Sequence, residues 1–553
     1  MSSNIRNYLF LIFIGALIYI PFLGGVHLFD WDEINFAEIS REMIRTGDYL
    51  TVQVNYQAFW EKPPLFFWIQ VLSMKLFGIN EFAARFPNAI VGIVTLLVIY
   101  RMGTKLFNER FGYLWAMAYF GSILPLLYFK SGIIDPLFNL FIFLGLYNII
   151  QAIWRRNNLL PELTKPKLYY LIWGGVFIGL AILTKGPVAY LIVILTLLTY
   201  RIVYKSGSAF NIPDVFIWSF VSLLIVSIWL GVEIFHHGFR FIVEFIEYQI
   251  RLLSTADAGH GGIQGYHFIV LLLGCFPASV FAIKGFRKIN IDKGYRQDFR
   301  KWMLVLFWVV LILFSIVQSK IVHYSSMAYF PFTFLAALVI MQIIDGKIQI
   351  SKGMKLLMSI ISGIFIIVTV SAPWIGRNIE IIKPLFIDDP FGYAGLNAQV
   401  NWTGLEMIPG ILLLIVVITS MVLFRKDKIL LGVQTLFFGT ALFVFAGLIF
   451  FIGRVEMYSQ NAEIEFCKSL QGKDCYVVTS NFKSYAQYFY AKVQPPDNPK
   501  YTDLKWLIYE DVDKDVYIVG KKPVEEHWRT VWTVRELGGK NGYVFFKREA
   551  SKK

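Results

Sequence analysis

Thirteen apolar stretches alternate with polar segments along most of the chain. Each is close to the roughly 20 residues that an α-helix needs to cross the hydrocarbon core of a bilayer. The pattern therefore predicts an all-α polytopic membrane domain over residues 1–453. The stretches begin near Tyr8, Asn88, Gly112, Ile133, Leu168, Gly186, Pro213, Tyr266, Trp302, Met327, Met354, Met407 and Ile429.

The stretch over residues 168–203 is long enough for one overlong helix or for two spans. Lys185, Gly186 and Pro187 lie at its middle, where a charge beside a helix breaker favours a hairpin between two spans. With thirteen spans and a cytoplasmic N-terminus, short basic loops such as 284–301 fall on the cytoplasmic side, as membrane topology normally requires. The first stretch lacks a cleavage site and is interpreted as a retained span. This topology places the C-terminus on the outer side.

Three segments on the outer side are long enough to be structured: residues 26–87, 237–265 and 376–407. Within the first, residues 33–45 show helical periodicity. Residues 64–77 are apolar but too short to span a bilayer. We expect these two segments to form helices that lie on the outer membrane surface.

Residues 454–553 differ from the rest because they are polar and contain short strand-like runs with one helical run. This pattern predicts a small α/β domain outside the membrane. Cys467 and Cys475 both fall in it, and in an oxidising compartment they either pair or remain thiols. Cys275 is interpreted as an apolar filler within a span.

Composition removes several classes of protein. Of the 553 residues, 56% are hydrophobic and only 16% are charged, whereas a soluble chain has about 25% charged residues. A disordered chain, an ordinary cytosolic enzyme and a nucleic-acid-binding module are therefore excluded. The net charge of +14 follows from the basic cytoplasmic loops, so no nucleic-acid partner is expected.

Acidic residues gather at the predicted outer face. Asp30, Asp32 and Glu33 follow the first span, and Asp135 begins the fourth. Asp30 is interpreted as a solvated helix cap, and the same interpretation is an alternative for the others. Asp32 and Asp135 are nevertheless predicted at the same depth, where a pair of carboxylates is suited to removing a proton from a hydroxyl group.

The outer side also retains cationic and hydrogen-bonding groups, although its loops are otherwise poor in Lys and Arg. These groups are Lys62, Lys185, Arg251, Lys320, His323 and Tyr324. Such a set is suited to binding a phosphate group; pairing with local carboxylates or lipid headgroups is the alternative. Glu61 and His260 form a possible divalent-metal pair, for which two residues alone are weak evidence.

Carboxylates and cations at one membrane face predict sugar transfer from a polyprenyl-phosphate donor to an acceptor. The cations would stabilise the departing phosphate, a carboxylate would activate the acceptor oxygen, and one-step attack would invert the anomeric centre. One rival is a transporter or flippase of polyprenyl-linked sugars, which predicts inverted repeats and charges near the bilayer midplane; the sequence shows neither. Another rival is a non-catalytic assembly protein that recruits a partner through residues 454–553.

Six blocks within about residues 8–345 carry a resemblance to a known family. They are WDEINFAEISREMIRTGDYL, FWEKPPLFFW, FAARFPNAI, SGIIDPLF, LTKGP and SKIVHYSSMAYFPF. The chain thereby resembles the GT-C superfamily of integral-membrane glycosyltransferases, and within it the ArnT-like and protein O-mannosyltransferase-related group. The resemblance implies the thirteen-span GT-C fold, a location in the bacterial inner membrane among its lipids, and a periplasmic C-terminal domain.

The resemblance also implies catalytic roles. Asp32 is similar to the key catalytic carboxylate of the family, and Glu33 is its neighbour in the Asp-Glu pair. Asp135 is similar to the second carboxylate of the cavity. The usual Asp-Glu-x-Arg-Tyr sequence departs here, because Asn35 stands in the place of the Arg.

Binding roles follow from the same resemblance. Residues that resemble donor-phosphate ligands, or are grouped with them by position, are Lys62, Arg251, Lys320, Tyr324, His323 and Lys185. Glu61 and His260 resemble a zinc-binding pair that fastens two outer loops, while no cofactor is required for the chemistry. The family donor is a polyprenyl-phosphate-linked sugar, and lipid, glycan and protein acceptors all remain open. ArnT-type transfer of 4-amino-4-deoxy-L-arabinose from undecaprenyl phosphate to lipid A is one option, and hexose transfer is another.

Overall fold

Helices form the membrane part of the molecule because a chain in hydrocarbon must bond its own backbone groups. The computed structural model describes residues 3–160, 162–207, 209–254, 263–289, 291 and 294–551. The helices up to residue 447 are α1 (Ser3–Tyr19), α2 (Asp32–Thr46), α3 (Leu65–Phe77), α4 (Glu81–Leu106), α5 (Glu109–Phe120), α6 (Ile123–Tyr128), α7 (Asp135–Arg156), α8 (Lys167–Lys185), α9 (Val188–Val203), α10 (Ile212–His237), α11 (Arg240–Ser254), α12 (Tyr266–Gly274), α13 (Ala278–Gly285), α14 (Gly294–Ile316), α15 (Tyr329–Ile344), α16 (Lys352–Arg377), α17 (Pro390–Gly395), α18 (Ile408–Arg425) and α19 (Ile429–Gly447).

Short elements complete this part. A small hairpin pairs β1 (Gln53–Val54) with β2 (Gln57–Ala58). The remaining elements are 3₁₀ helices over Val322–Ala328, Ile379–Ile381, Lys383–Phe386 and Leu405–Met407, and a π-helical segment over Leu448–Ile452.

Every one of the thirteen predicted apolar stretches is helical in the part of the chain that is described. Nine helices there are long and apolar enough to cross a membrane by length and composition. The other four stretches correspond to α1, to α5 with α6, to α9, and to the bent pair α12 and α13. The polytopic all-α class is thus confirmed.

The predicted break within residues 168–203 is present. Helix α8 ends at Lys185 and α9 begins at Val188. Gly186 between them has a φ of +118°, a backbone conformation that only glycine adopts readily. The turn therefore leaves the Lys185 ammonium at the end of a helix and not at the middle of one.

The stretch that begins at Tyr266 differs from the prediction of one straight span. Helices α12 and α13 meet at an angle of 118°, with Pro277 directly before α13. A proline removes a backbone donor and ends the preceding helix. Gly274 packs so closely that a Cβ there would lie 2.2 Å from the Leu124 side chain.

Helix α2 confirms the predicted helix but not its expected place on the membrane surface. Its residues Glu33–Met43 are all buried, including the polar face formed by Glu38, Arg41 and Glu42. The physical reason is twofold. The Arg41 guanidinium pairs with Glu38 at 2.7 Å, and the C-terminal domain covers this face.

The C-terminal domain contains a four-stranded sheet in the order β3-β4-β6-β5. Strands β3 and β4 are parallel, and β6 is antiparallel to both β4 and β5. One face of the sheet packs on its own apolar core around Trp506, Ile518 and Phe546. The elements are α20 (Gly453–Ser459), α21 (Asn461–Lys468), β3 (Cys475–Ser480), α22 (Ala486–Ala491), α23 (Leu504–Tyr509), β4 (Asp515–Lys521), a 3₁₀ helix Lys522–Val524, α24 (Glu525–Thr530), β5 (Arg535–Lys540) and β6 (Tyr543–Arg548).

The opposite face of the sheet joins the domain to the membrane part, because Val519 and Phe545 belong to the same apolar cluster as the spans. The helical run that begins at Ile429 continues to Ser459, so the predicted boundary at residue 454 falls inside it. Cys467 and Cys475 are both free thiols in the structure.

Candidate functional site

A cavity of about 770 Å³ opens where the C-terminal domain meets the helix bundle. Five parts of the chain supply its walls: the segment after α1, the start of α2, the turn before α7, the end of α8 and residues 321–324. The π-helical segment Leu448–Ile452 adds apolar side chains on another side. The cavity thus combines a polar end with an apolar end.

Asp135 occupies the first position of α7 and is 2% exposed. Its Oδ1 accepts a hydrogen bond from the Lys185 Nζ at 2.5 Å. Its Oδ2 lies 3.8 Å from the His323 Nε2 and has no hydrogen-bond partner among the described residues. The hairpin after α8 is what brings Lys185 to this carboxylate.

Asp32 begins α2 and approaches the same nitrogen of His323. Its Oδ2 is 3.4 Å from the His323 Nε2, and its side chain is 26% exposed. One imidazole nitrogen therefore lies within 4 Å of two carboxylates from distant parts of the chain. We define the Asp32–Asp135 cluster as Asp32, His323, Asp135 and Lys185.

Lys62 and Tyr324 complete the polar end of the cavity. Both line it, and the Lys185 ammonium lies 5.2 Å from the centre of the Tyr324 ring. A cation over an aromatic face is held by the ring quadrupole. The structure thus brings together Lys62, Lys185, His323 and Tyr324, as the sequence predicts for a phosphate site.

Glu33 lines the same cavity but is fully engaged in the structure. Its oxygens accept hydrogen bonds from the Arg85 guanidinium at 2.8 and 3.0 Å, from the Gly132 amide at 2.6 Å and from the Phe29 amide at 3.0 Å. Burial acts to raise the pKa of Glu33, but Arg85 and the two amides outweigh it and hold the pKa below its ordinary value. This geometry supports a structural role for Glu33 beside the reacting groups.

Arg85 and Lys130 are two cavity residues that the sequence analysis did not single out. Arg85 also donates to the carbonyl groups of residues 23, 26 and 27. The Lys130 ammonium donates to the carbonyls of residues 18, 19 and 21. Arg85 lies within the FAARFPNAI block. A single cation among mostly apolar residues is the sequence feature that could have marked it as a cavity residue.

Lys320 lies outside the cavity lining. Its ammonium donates to the carbonyls of Ser315 at 2.7 Å and Val317 at 2.5 Å. These carbonyls end α14 and have no partner within the helix, so a nearby lysine satisfies them. In this structure Lys320 is therefore not positioned to make the expected contact with a donor phosphate.

Arg251 and Glu61 lie together at another place. The Arg251 guanidinium is 3.8 Å from the Glu61 carboxylate, and neither residue lines the cavity. His260 lies outside the described residues, so the predicted metal pair stays a prediction. Within the described ranges, no group of three or more His, Cys, Asp or Glu side chains is arranged to hold a metal.

Comparison with known proteins gives relatives for much of the chain. Residues 61–231 match the family model described as dolichyl-phosphate-mannose-protein mannosyltransferase. The undecaprenyl phosphate-alpha-4-amino-4-deoxy-L-arabinose arabinosyl transferase of Pectobacterium carotovorum is 26% identical over 334 residues, which cover 58% of this chain and 57% of the relative. A second transferase of that name, from Sodalis glossinidius, is 27% identical and covers 65% and 64%. Each match thus spans less than two thirds of the relative's length.

Solved structures extend the likeness to the whole chain. The crystal structure of ArnT from Cupriavidus metallidurans bound to undecaprenyl phosphate covers 100% of both chains with a TM-score of 0.77, at 15% identity. The chain has the GT-C fold of ArnT. The archaeal oligosaccharyltransferase AglB from Archaeoglobus fulgidus aligns less closely, with a TM-score of 0.53 at 12% identity, over 94% of this chain and 70% of that one.

The likeness in structure confirms the GT-C fold class that the six sequence blocks implied. It also agrees with the apolar helices in placing the chain among multi-pass membrane proteins. Within this GT-C fold, Asp32, His323, Lys185 and Lys62 line one cavity, and Asp135 contacts two of these residues, Lys185 and His323.

Proposed function

We propose that this protein is an inverting glycosyltransferase that uses a polyprenyl-phosphate-linked sugar. The observation that carries the proposal is the Asp32–Asp135 cluster: the His323 imidazole contacts both carboxylates, and Asp32, His323 and Lys185 line a cavity shared with Lys62 and Tyr324. The related transferases are named for undecaprenyl-phosphate-linked aminoarabinose, and the matching family model for dolichyl-phosphate mannose. Undecaprenyl phosphate is accordingly the proposed carrier.

The proposed reaction is a single displacement at the anomeric carbon. Asp32 takes the proton of an acceptor hydroxyl or phosphate group as the acceptor oxygen forms its bond to the anomeric carbon. The bond between that carbon and the donor phosphate oxygen breaks, and the electron pair leaves with the phosphate. Attack on the face opposite the phosphate inverts the configuration.

The cations and Asp135 have separate tasks in this reaction. Lys62, Lys185 and Tyr324 stabilise the negative charge that grows on the leaving phosphate, which is the main effect available in a dry cavity. Asp135 holds the Lys185 ammonium and faces His323, so it orients both groups. His323 contacts both carboxylates, which suits it to share the acceptor's proton with Asp32 more directly than to bind phosphate.

The proposed setting is the bacterial inner membrane. The N-terminus lies in the cytoplasm, and the cavity with the C-terminal domain faces the periplasm. The basic residues of the opposite loops support this orientation. The acceptor is a lipid, including lipid A, or a glycan or a protein. The reaction as written uses no cofactor, and zinc at Glu61 and His260 would serve only to fasten two loops.

The test is sugar transfer by the purified protein in nanodiscs, followed by mass spectrometry of released undecaprenyl phosphate and glycosylated acceptor. Donors carrying aminoarabinose and hexoses are compared, with lipid A among the acceptors. Asp32→Asn should lower the turnover rate at least a thousandfold with an unchanged melting temperature. Asp427→Asn, at an exposed turn remote from the cavity, is the matched control and should turn over normally. Near-normal turnover by Asp32→Asn would refute the role of Asp32.

A further inference from the structure

The segment just before the proposed catalytic carboxylate is held by the C-terminal domain. Residues 27–31 form the last part of the connection from α1 to α2 and contribute Phe29, Asp30 and Trp31 to the cavity wall. This segment has no regular secondary structure, so its backbone groups need partners from elsewhere.

Gln460 supplies two of those partners. Its side-chain amide donates to the Leu28 carbonyl at 2.7 Å, and its oxygen accepts from the Asp30 amide at 3.1 Å. The side chain thus bonds to residues 28 and 30 as a neighbouring β-strand would. Gln460 is 7% exposed, so water does not replace these bonds readily.

Tyr490 supplies a third partner from α22. Its hydroxyl accepts a hydrogen bond from the Leu28 amide at 2.7 Å, in a buried position. Farther along the segment, the Trp31 ring packs edge-on against Tyr485 and lies 5.1 Å below the Lys483 ammonium. All these side chains come from residues beyond the last membrane span.

We propose that Gln460 and Tyr490 are positioning residues of the active site, which fix the segment 27–31 so that Asp32 faces His323. This inference rests on the proposed function, because it assigns the C-terminal domain a share in the same reaction. The two residues touch neither His323 nor Asp32 and therefore act only through the backbone of the segment. A displacement of about 1 Å in a reacting group can lower a rate a hundredfold.

Gln460→Ala and Tyr490→Phe test the proposal with two independent readouts. Hydrogen exchange of the peptide containing residues 27–31 should become at least tenfold faster, since each variant frees an amide in it. The turnover number should fall at least tenfold, while the KM for the donor changes less than twofold because Lys62 and Lys185 are untouched.

Gln494→Ala is the matched control, because Gln494 is exposed and bonds only to the nearby Lys492 carbonyl. It should leave exchange and turnover unchanged. Tyr490→Phe removes a single oxygen and serves as the milder variant should Gln460→Ala unfold, as judged by gel filtration.

Unchanged hydrogen exchange in both variants would refute the proposal that Gln460 and Tyr490 hold the segment 27–31 in place. Faster exchange with normal turnover would refute its role in positioning Asp32. A wild-type protein that transfers no sugar would instead refute the proposed function and, with it, the assignment of these residues to an active site; the exchange readout would then still report whether the domain holds the segment. The two failures are therefore distinguishable.

Discussion

Helix α2 carries two kinds of acidic residue, and the comparison between them separates structure from chemistry. Asp32 at its first position makes only a 3.4 Å contact with His323 and faces the cavity. Glu33, its neighbour, accepts four hydrogen bonds from Arg85 and two backbone amides. One turn of helix thus contains both a partly satisfied carboxylate and a fully satisfied one.

The acids farther along α2 are also engaged, although burial and the neighbouring Glu38 raise the pKa of Glu42, whereas the pKa of Glu33 is lowered. Glu38 pairs with Arg41 at 2.7 Å, and Glu42 accepts from the amides of Asn55 and Tyr56 at 2.7 and 2.8 Å. A buried charge is tolerated only when it is paired and hydrogen-bonded. The comparison teaches that the carboxylate left with spare bonding capacity is the one available to a substrate.

Glu33→Gln should show the largest effect on stability. It leaves the buried Arg85 guanidinium without its charge partner, which costs about 3–5 kcal/mol when a buried ion pair is broken. Thermal unfolding in detergent, followed by gel filtration, should show a lower melting temperature for Glu33→Gln than for Asp32→Asn. Equal melting temperatures for the two variants would remove the distinction drawn between these neighbours.

A second comparison is between Lys62, which lines the cavity, and Lys320, which lies at the end of a helix. The expected effects are smaller and concern the KM for the donor. Lys62→Met should raise the KM for the donor at least tenfold, because a hydrogen bond to a charged group contributes about 1.5–3 kcal/mol. Lys320→Met should change that KM less than twofold. Steady-state kinetics with a polyprenyl-phosphate donor measures both, and a reversed order would restore Lys320 as a phosphate ligand.

Glu463 gives a third contrast, seen as a dependence of stability on pH. Burial and the nearby Asp30 carboxyl raise the pKa of Glu463 from 4.5 to about 8. Because the folded state then holds a proton that the unfolded state releases, the contribution of Glu463 to stability should be greatest below pH 4.5 and fall as the pH rises towards 8. Burial also raises the pKa of Asp30 to about 6. The contribution of Asp30 to stability therefore falls as the pH rises, in the same direction as that of Glu463.

Glu463→Gln keeps the shape of the side chain and cannot ionise. Its melting temperature should fall less than that of the wild type between pH 5 and pH 8, in a series of scans at constant ionic strength. Parallel curves for the two proteins would show that Glu463 does not hold a proton in the folded state.

The sequence was sufficient to predict the spans, because a run of apolar residues long enough to cross a bilayer has few other uses. The same is true of the turn after Lys185, where a charge and two helix breakers coincide. Asp32, Asp135 and Lys62 were singled out because their residue types fit the chemistry. Asp32 and Lys62 share a cavity, and Asp135 contacts Lys185 and His323 of its lining. This arrangement depends on contacts between distant segments, which no local pattern contains.

The remaining differences have a common physical cause. The polar face of α2 predicts exposure, but the C-terminal domain covers it. Lys320 resembles a phosphate ligand in type, yet it contacts carbonyls only a few residues away. Arg85 and Lys130 were missed because most of their partners are backbone carbonyls, which every residue possesses and no sequence distinguishes.

The bonds of Arg85 and Lys130 have a consequence for synthesis of the chain. Carbonyl groups of residues 18–27, at the end of α1, are satisfied by side chains made some 60 to 110 residues later. Until Lys130 has been synthesised, the carbonyls of residues 18, 19 and 21 lack these bonds, and buried backbone groups need a partner. The end of α1 therefore reaches its final set of hydrogen bonds only after the chain as far as Lys130 has been made.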